Sequence, residues 1–216
     1  GAVVEVAEEL KAPLVLGIAE RLFKFVDVDT LAAAMARAAQ RTSVPVALHL
    51  DHGHTYEGVM RAVRWGFTSV MFDGSALSIA ENLKKTKEIT RIAHSLGISV
   101  EGELGYISHC DDVTGITTNE FVPADVVMDL VTKTKIDALA VAAGTNHGTV
   151  KGMGGLNIAR LAELSNAVDV PLVLHGGSKL SREDCRLVID NGIAKINIAT
   201  DMSLSAAERL RTELAK

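Results

Sequence analysis

The feature that most restricts this chain of 216 residues is a beat of short apolar runs. They are rich in Val, Ile, Leu and Ala and cover Leu14 to Ile18, Val46 to Leu50, Ser69 to Phe72, Ser99 to Leu104, Ala138 to Ala142, Leu172 to Leu174 and Lys195 to Ile198. Runs this short and this uniformly apolar are the pattern of strands buried on both faces. Between them lie amphipathic stretches of helical length, among them Thr30 to Arg41, Ser78 to Ser95 and Ser181 to Asn191. Ser78 with Glu81, and Ser181 with Asp184, have capping-box spacing, and Pro123 suits the first turn of another helix. The runs begin at residues 14, 46, 69, 99, 138, 172 and 195, so each interval is the length of one βα unit. Alternating units of that size call for a parallel sheet.

An open doubly wound sheet and a closed eight-stranded barrel both meet that requirement. No Gly-x-Gly-x-x-Gly follows the first strand, which removes the main cue of the dinucleotide-binding sheet. Seven strands behind an opening helix, Ala2 to Lys11, predict a (β/α)8 TIM barrel with its first strand missing from the given chain. Residues 1–216 are expected to form one barrel domain, incomplete at the N-terminus, since such barrels take about 250 residues. The longest interval holds Gly105 to Val122, a polar segment without periodicity of the kind that builds active-site loops.

Composition narrows the function classes. Hydrophobic residues make up 48% of the chain and mean hydropathy is +0.23, which excludes intrinsic disorder. The net charge of −5 offers no basic surface to nucleic acid or anionic lipid, so an anionic ligand must be held by local geometry. No apolar run approaches the roughly 20 residues that cross a bilayer, and Cys110 and Cys185 cannot frame a disulfide scaffold. A cytoplasmic protein with neither a nucleic-acid nor a membrane partner is the expectation.

In a βα barrel the chemistry collects where strands end and βα loops begin. Here those ends read Leu48-His49-Leu50-Asp51-His52-Gly53, Asp73, Glu101 with Glu103, Gly144-Thr145-Asn146-His147-Gly148, His175-Gly176-Gly177-Ser178 and Asn197-Ile198-Ala199-Thr200-Asp201. Three histidines, His52, His147 and His175, come from three strand ends, each followed by Gly. A catalytic zinc takes about three protein ligands and keeps a position open. The plainer alternative is three hydrogen-bonded histidines near turns. Asp51 is a candidate acid/base, or else a carboxylate that caps a helix or orients a histidine. Asp73 and Glu103 are candidate metal-associated residues, and Glu101 shares a strand face with Glu103. His49 is expected to hydrogen-bond within the barrel wall, His54 to lead a helix at the surface, and His94 to be solvated. Gly176, Gly177 and Ser178, and the turn Asn197, Ile198, Ala199 and Thr200, offer backbone N–H groups to an anion, or are ordinary tight turns.

Taken together and in order, these motifs resemble the class II, zinc-dependent ketose-bisphosphate aldolases over nearly the whole chain. The resemblance implies an eight-stranded barrel that continues past Lys216, so that the domain is expected to be incomplete at the C-terminus too. It also implies a homodimer or homotetramer, and reversible cleavage of a phosphorylated ketose, of fructose- or tagatose-bisphosphate type, to dihydroxyacetone phosphate and an aldehyde. It implies Asp51 as acid/base, His52, His147 and His175 as Zn2+ ligands, and Asp73 and Glu103 at the metal's alternative or second position. Gly148, Gly176, Gly177 and Ser178 match the dihydroxyacetone-phosphate and monovalent-cation (Na+ or K+) loops, and Asn197, Ile198, Ala199 and Thr200 the rest of the phosphate site. The family's loop acid falls on Asp111, where Glu is expected and Asp is shorter by one methylene. Other departures are Lys179 where Gly usually follows Ser178, Ala19 where a Ser is associated with substrate, and Ala199. Fructose-bisphosphate enzymes typically carry Asp at that last position, and tagatose-bisphosphate-type members Ala. Two other classes remain, a non-catalytic barrel subunit supporting an aldolase and a sugar-phosphate isomerase or epimerase. The first has no use for a full metal site, and the second leaves the histidines idle.

Overall fold

The computed structural model describes residues 1–104, 122–141 and 156–216. They alternate helix and strand in the order α1 (Ala2–Glu9), β1 (Leu14–Ala19), a 3₁₀ turn (Glu20–Leu22), α2 (Val28–Arg41), β2 (Val46–Gly53), α3 (Tyr56–Arg64), β3 (Ser69–Phe72), α4 (Ile79–Ser95) and β4 (Ser99–Leu104). The chain continues with α5 (Ala124–Thr134), β5 (Ala138–Val141), α6 (Ile158–Ala167), β6 (Leu172–Leu174), α7 (Arg182–Asp190), β7 (Ile193–Ile196) and α8 (Thr200–Leu214). Two compact units contain these elements, Gly1–Glu103 with Thr134–Asp137, and Leu104–Lys133 with Ala138–Lys216. No helix among the described residues is long and apolar enough to cross a membrane.

In the first unit, β1, β2, β3 and β4 pair in parallel in chain order. Leu50, Val70, Phe72 and Val100 are sealed under Val59 and Ala62 of α3 and Ile89 and Ala93 of α4, all almost fully buried. Burial on this scale is the main force holding the layers together. β1 and β2 stay in register from Leu14 opposite Val46 to Ala19 opposite Asp51. Between β2 and β3 the register slips, with Leu50 opposite Val70 but Gly53 opposite Phe72, so β2 carries one extra residue across Asp51 and His52. His52 takes a left-handed backbone, φ 45°.

In the second unit β5, β6 and β7 are parallel neighbours, with Leu161 and Leu164 of α6 and Val188 of α7 buried beside Leu172, Val173 and Leu174. Helix starts follow the capping chemistry of the sequence. Ser78 with Glu81 and Ser181 with Asp184 both close complete capping boxes. The α2 start lies two residues ahead of Thr30, because the Asp27 carboxylate accepts from the Thr30 N–H and hydroxyl and caps the helix at Val28.

Strand bounds differ from expectation in three strands: β1 runs one residue further, to Ala19, β2 is longer, and β7 lies two residues earlier at each end. β2 runs on to Gly53 because Asp51 remains paired with Ala19. β7 starts at Ile193, not Lys195, because Gly192, φ 102°, turns the chain directly from α7 into the ladder. Ala142, expected to end β5, lies outside the described residues.

One buried bridge ties α4 to β4. The Asn82 amide donates to the Glu103 carbonyl oxygen at 2.8 Å, and the Thr86 hydroxyl donates to the Asn82 side-chain oxygen at 2.8 Å. Asn82→Ala removes both bonds from a dry site. It is expected to lower the unfolding free energy by about 2 kcal/mol, measured by urea denaturation.

Candidate functional site

The β2 bulge decides what the strand ends of the first unit present. Glu101 and Glu103, two apart on β4, share one face of the sheet. His49 Nε2 lies 3.7 Å from Glu101, and His52 Nδ1 lies 3.7 Å from Glu103. His49 and His52 are three apart, an odd number that a regular strand would send to opposite faces, and the extra residue returns His52 to the same side. Asp51 is on the Gly17 side of the sheet, where a side chain in place of the Gly17 hydrogen would stand 3.8 Å from the Asp51 Cβ.

His52, Asp73 and Glu103 form a buried cluster whose nitrogen and carboxylate oxygens all lie within 4.8 Å of one another. The tightest contact joins His52 Nδ1 to Asp73 Oδ2 at 2.7 Å. The other Asp73 oxygen accepts from the Ser75 N–H at 3.1 Å and its hydroxyl at 2.6 Å, which fixes the carboxylate plane. The Asp73 N–H donates to the Gly53 carbonyl at 2.8 Å, and the His52 N–H to Met71 Sδ at 3.4 Å.

Electrostatics follow from this geometry. Burial works against a charged His52, but the Asp73 hydrogen bond and the charges of Asp51, Asp73 and Glu101 outweigh it and raise the imidazole above its ordinary value. Burial also works against an ionised Asp73, and is overcome by the His52 hydrogen bond and charge, the Ser75 bond and the charge of His54, so this carboxyl is held well below the usual range. A buried set of two carboxylates and one imidazole is a donor set of the kind a divalent ion takes. A proton held on Nδ1 by Asp73 places the ring's lone pair on Nε2, the carboxylate–histidine arrangement common beside zinc.

Neighbouring groups fill in the surroundings. His49 is buried, with Nδ1 2.8 Å from the Ser69 hydroxyl, as expected of a wall residue. Glu101 faces His49, its carboxylate 3.7 Å from Nε2. His54 is half exposed, yet its ring stacks 6.2 Å from that of His52 and its Nδ1 is 3.7 Å from Asp73, so it belongs to the cluster's rim. His94 is exposed, as expected, and also pairs with Asp137 at 2.8 Å, because Asp137 reaches both it and the Val100 N–H.

The second unit carries a different arrangement. His175 is fully buried, and the Asn197 amide stands 3.2 Å from its Nε2. Gly176 has φ 72°, and a Cβ on Gly177 would overlap Ile196, so the chain passes there only without side chains. The Lys179 N–H donates to the Asp201 carboxylate at 2.6 Å, and the Asp201 N–H donates to the Ser178 hydroxyl at 3.3 Å. This clasp joins the β6–α7 turn to the first turn of α8. Ile198 and Ala199 are exposed, and Thr200 opens α8. His147, Gly148 and Asp111 lie outside the described residues.

Sequence reasoning missed three supporting residues, Ser75, Asn82 and Glu20, and the partner of a fourth, Asp201. Ser75, two after Asp73, has the spacing of an Asx turn and could have been found. Asn82 shows as an amide on the buried face of α4. Glu20 and Asp201 reach partners 34 and 22 residues away and leave no local signal.

The comparisons with known proteins agree with this chemistry. A family described as "Fructose-bisphosphate aldolase class-II" matches residues 1–216. A fructose-bisphosphate aldolase of Thermus caldophilus is 36% identical over 100% of this chain and 78% of its own length. A sulfofructosephosphate aldolase of Alkalicoccus urumqiensis is also 36% identical, over 97% of this chain and 74% of its own. Among solved structures, the YdjI aldolase of Escherichia coli K12 superposes with a TM-score of 0.87 at 34% identity, covering 99% of this chain and 76% of that one. The fold class is therefore the α/β TIM barrel, with seven parallel strands among the described residues. The chain belongs to the class II fructose-bisphosphate aldolase family, an aldolase family of lyases.

Proposed function

We propose that this chain is a zinc-dependent aldolase that reversibly cleaves a phosphorylated ketose to dihydroxyacetone phosphate and an aldehyde. The observation that carries the reading is the buried His52, Asp73 and Glu103 set at the ends of parallel strands in a chain of this family. His52, His147 and His175 would hold Zn2+, with Asp73 and Glu103 at an alternative or second metal position. When bound, zinc polarises the ketone and offsets the negative charge that develops as the carbon–carbon bond breaks.

The chain's own groups move the protons and hold the phosphate. Asp51 takes the C4 hydroxyl proton during cleavage and returns it during condensation. Asp111 transfers the proton at the dihydroxyacetone-phosphate carbon. Gly148, Gly176, Gly177 and Ser178, with Asn197, Ile198, Ala199 and Thr200, form the phosphate site, with Na+ or K+ beside them. The Gly177 and Asn197 N–H groups are spent on the Asn197 and Leu174 carbonyls, so those two residues shape the turn while other N–H groups of the set meet the anion. The chain works as a cytoplasmic homodimer or homotetramer.

Two relatives equally identical to this chain carry the names of aldolases for different ketose phosphates, so identity does not choose the substrate. Ala199 leans away from fructose bisphosphate, because a missing carboxylate removes a contact that can discriminate sugar hydroxyls strongly.

Asp51→Ala is expected to keep its bound zinc and to lose 10²- to 10⁴-fold in turnover. The assay follows dihydroxyacetone phosphate release from fructose and tagatose bisphosphates. A chelator should abolish activity and borohydride should leave it unchanged; full turnover of metal-stripped protein would refute the mechanism.

The His52 and Asp73 pair predicts a pH signature in the metal-free protein. Asp73 has a lowered value in the fold, so its contribution is present above 3.8, the ordinary carboxyl value, and is lost as pH falls through the folded value. His52 has a raised value, so its contribution is complete below 6.5 and is lost as pH rises through the folded value. The stability advantage of wild type over Asp73→Asn is expected to be widest between these limits and to shrink on both sides. Urea denaturation of the two metal-free proteins across pH measures it.

A further inference from the structure

We propose that Glu20 is a positioning residue for His52, acting through the turn after β2; the inference rests on the reading of His52 as a zinc ligand. Glu20 is the first residue past β1, whose last residue, Ala19, stands opposite Asp51. Its carboxylate reaches across to the next loop. Oε2 accepts from the His54 N–H at 2.6 Å and the Thr55 N–H at 3.1 Å, and Oε1 accepts from the Thr55 hydroxyl. The same Thr55 hydroxyl accepts from the Gly58 N–H at 2.9 Å, so one side chain caps α3 while bound to Glu20. A Cβ at Gly58 would overlap the Glu20 carboxylate, so the carboxylate lies flat on the first turn of α3 and only glycine admits it.

The reason this matters lies two residues upstream. His52 holds φ 45°, a left-handed conformation that costs a non-glycine residue about 1–2 kcal/mol and persists only where its surroundings hold it. On the β3 side the hold comes from the His52 N–H to Met71 Sδ and the Asp73 N–H to the Gly53 carbonyl. On the β1 side it comes from Glu20. Releasing the turn at His54 and Thr55 lets the backbone relax toward ordinary φ. The imidazole then swings away from the direction that Asp73 fixes for it.

The test uses Co2+ as the probe, reading its dissociation constant by competition and its visible absorption. The set is wild type, Glu20→Ala, Glu20→Gln, Gly58→Ala and Val59→Ala. Glu20→Ala, and Gly58→Ala, which displaces the carboxylate from the other side, are each expected to weaken Co2+ 10- to 100-fold and to alter its spectrum. Glu20→Gln keeps an acceptor oxygen and is expected to lie closer to wild type. Val59→Ala, a core truncation in the same helix, should lower the melting temperature and leave affinity and spectrum unchanged. Wild-type affinity and spectrum in Gly58→Ala and in folded Glu20→Ala would overturn the inference, and should Glu20→Ala fail to fold, Gly58→Ala and Glu20→Gln decide it. An equal loss in Val59→Ala would also overturn it, since the effect would then be general destabilisation. Wild-type protein that takes up no Co2+ would overturn the zinc reading itself, and this inference with it.

Discussion

The structure of the first unit depends on one extra residue in β2. A strand with strict alternation would send Asp51 and His52 to opposite faces, one of them into the helices. The slip between Leu50 and Gly53, with His52 in a left-handed backbone, places His49, Asp51 and His52 together on the side that carries Glu101 and Glu103. Bulges are common beside active sites because they re-aim a side chain without breaking the sheet. The cost is a strained histidine backbone, held on the β3 side through Met71 and Asp73 and on the β1 side through the turn that Glu20 binds.

That geometry creates a charge problem. Asp73 and Glu103 are two nearly inaccessible carboxylates beside the buried imidazole of His52, with the half-exposed His54 at the rim. Burying unbalanced charge is expensive, and without a metal the cluster answers by drawing a proton onto His52 and keeping Asp73 ionised. A divalent cation balances the same charge without the proton. The features that strain the metal-free site are thus those that favour an ion.

Much of this was legible because it is local. The beat of apolar runs marks the strands, Ser78 and Ser181 mark two helix starts through their capping boxes, and the polar strand ends mark His52, Asp73 and Glu103 as one neighbourhood once a parallel sheet is assumed. The rest depends on pairings with no sequence signature. His52 in a left-handed conformation leaves no trace, since glycine is the residue that announces one. His94 finds Asp137 43 residues away, and Lys179 finds Asp201 across 22. Such partners are set by how the strands align, and a shift of one residue in register would change every one of them. His147, Gly148 and Asp111 were equally legible by motif and lie outside the described residues.

The start of α8 shows how one substitution can act twice. Ala199 stands at the N-cap and makes no side-chain cap bond, so the first N–H groups of α8 receive nothing from the residue that usually satisfies them. An aspartate there could reach a sugar hydroxyl, but it could also turn back on its own helix and occupy those donors. Alanine gives up both. In the neighbouring clasp, Asp201 already commits the Lys179 N–H and Ser178 the Asp201 N–H, which draws the β6–α7 turn onto this helix end. A chain with a net charge of −5 has no diffuse positive field to attract a phosphate. What it has at this point is a helix start whose N-cap residue supplies no side-chain bond, with the Asp201 N–H met by Ser178, beside a glycine turn that admits no side chain. A helix start of this kind is where backbone geometry can meet an anion.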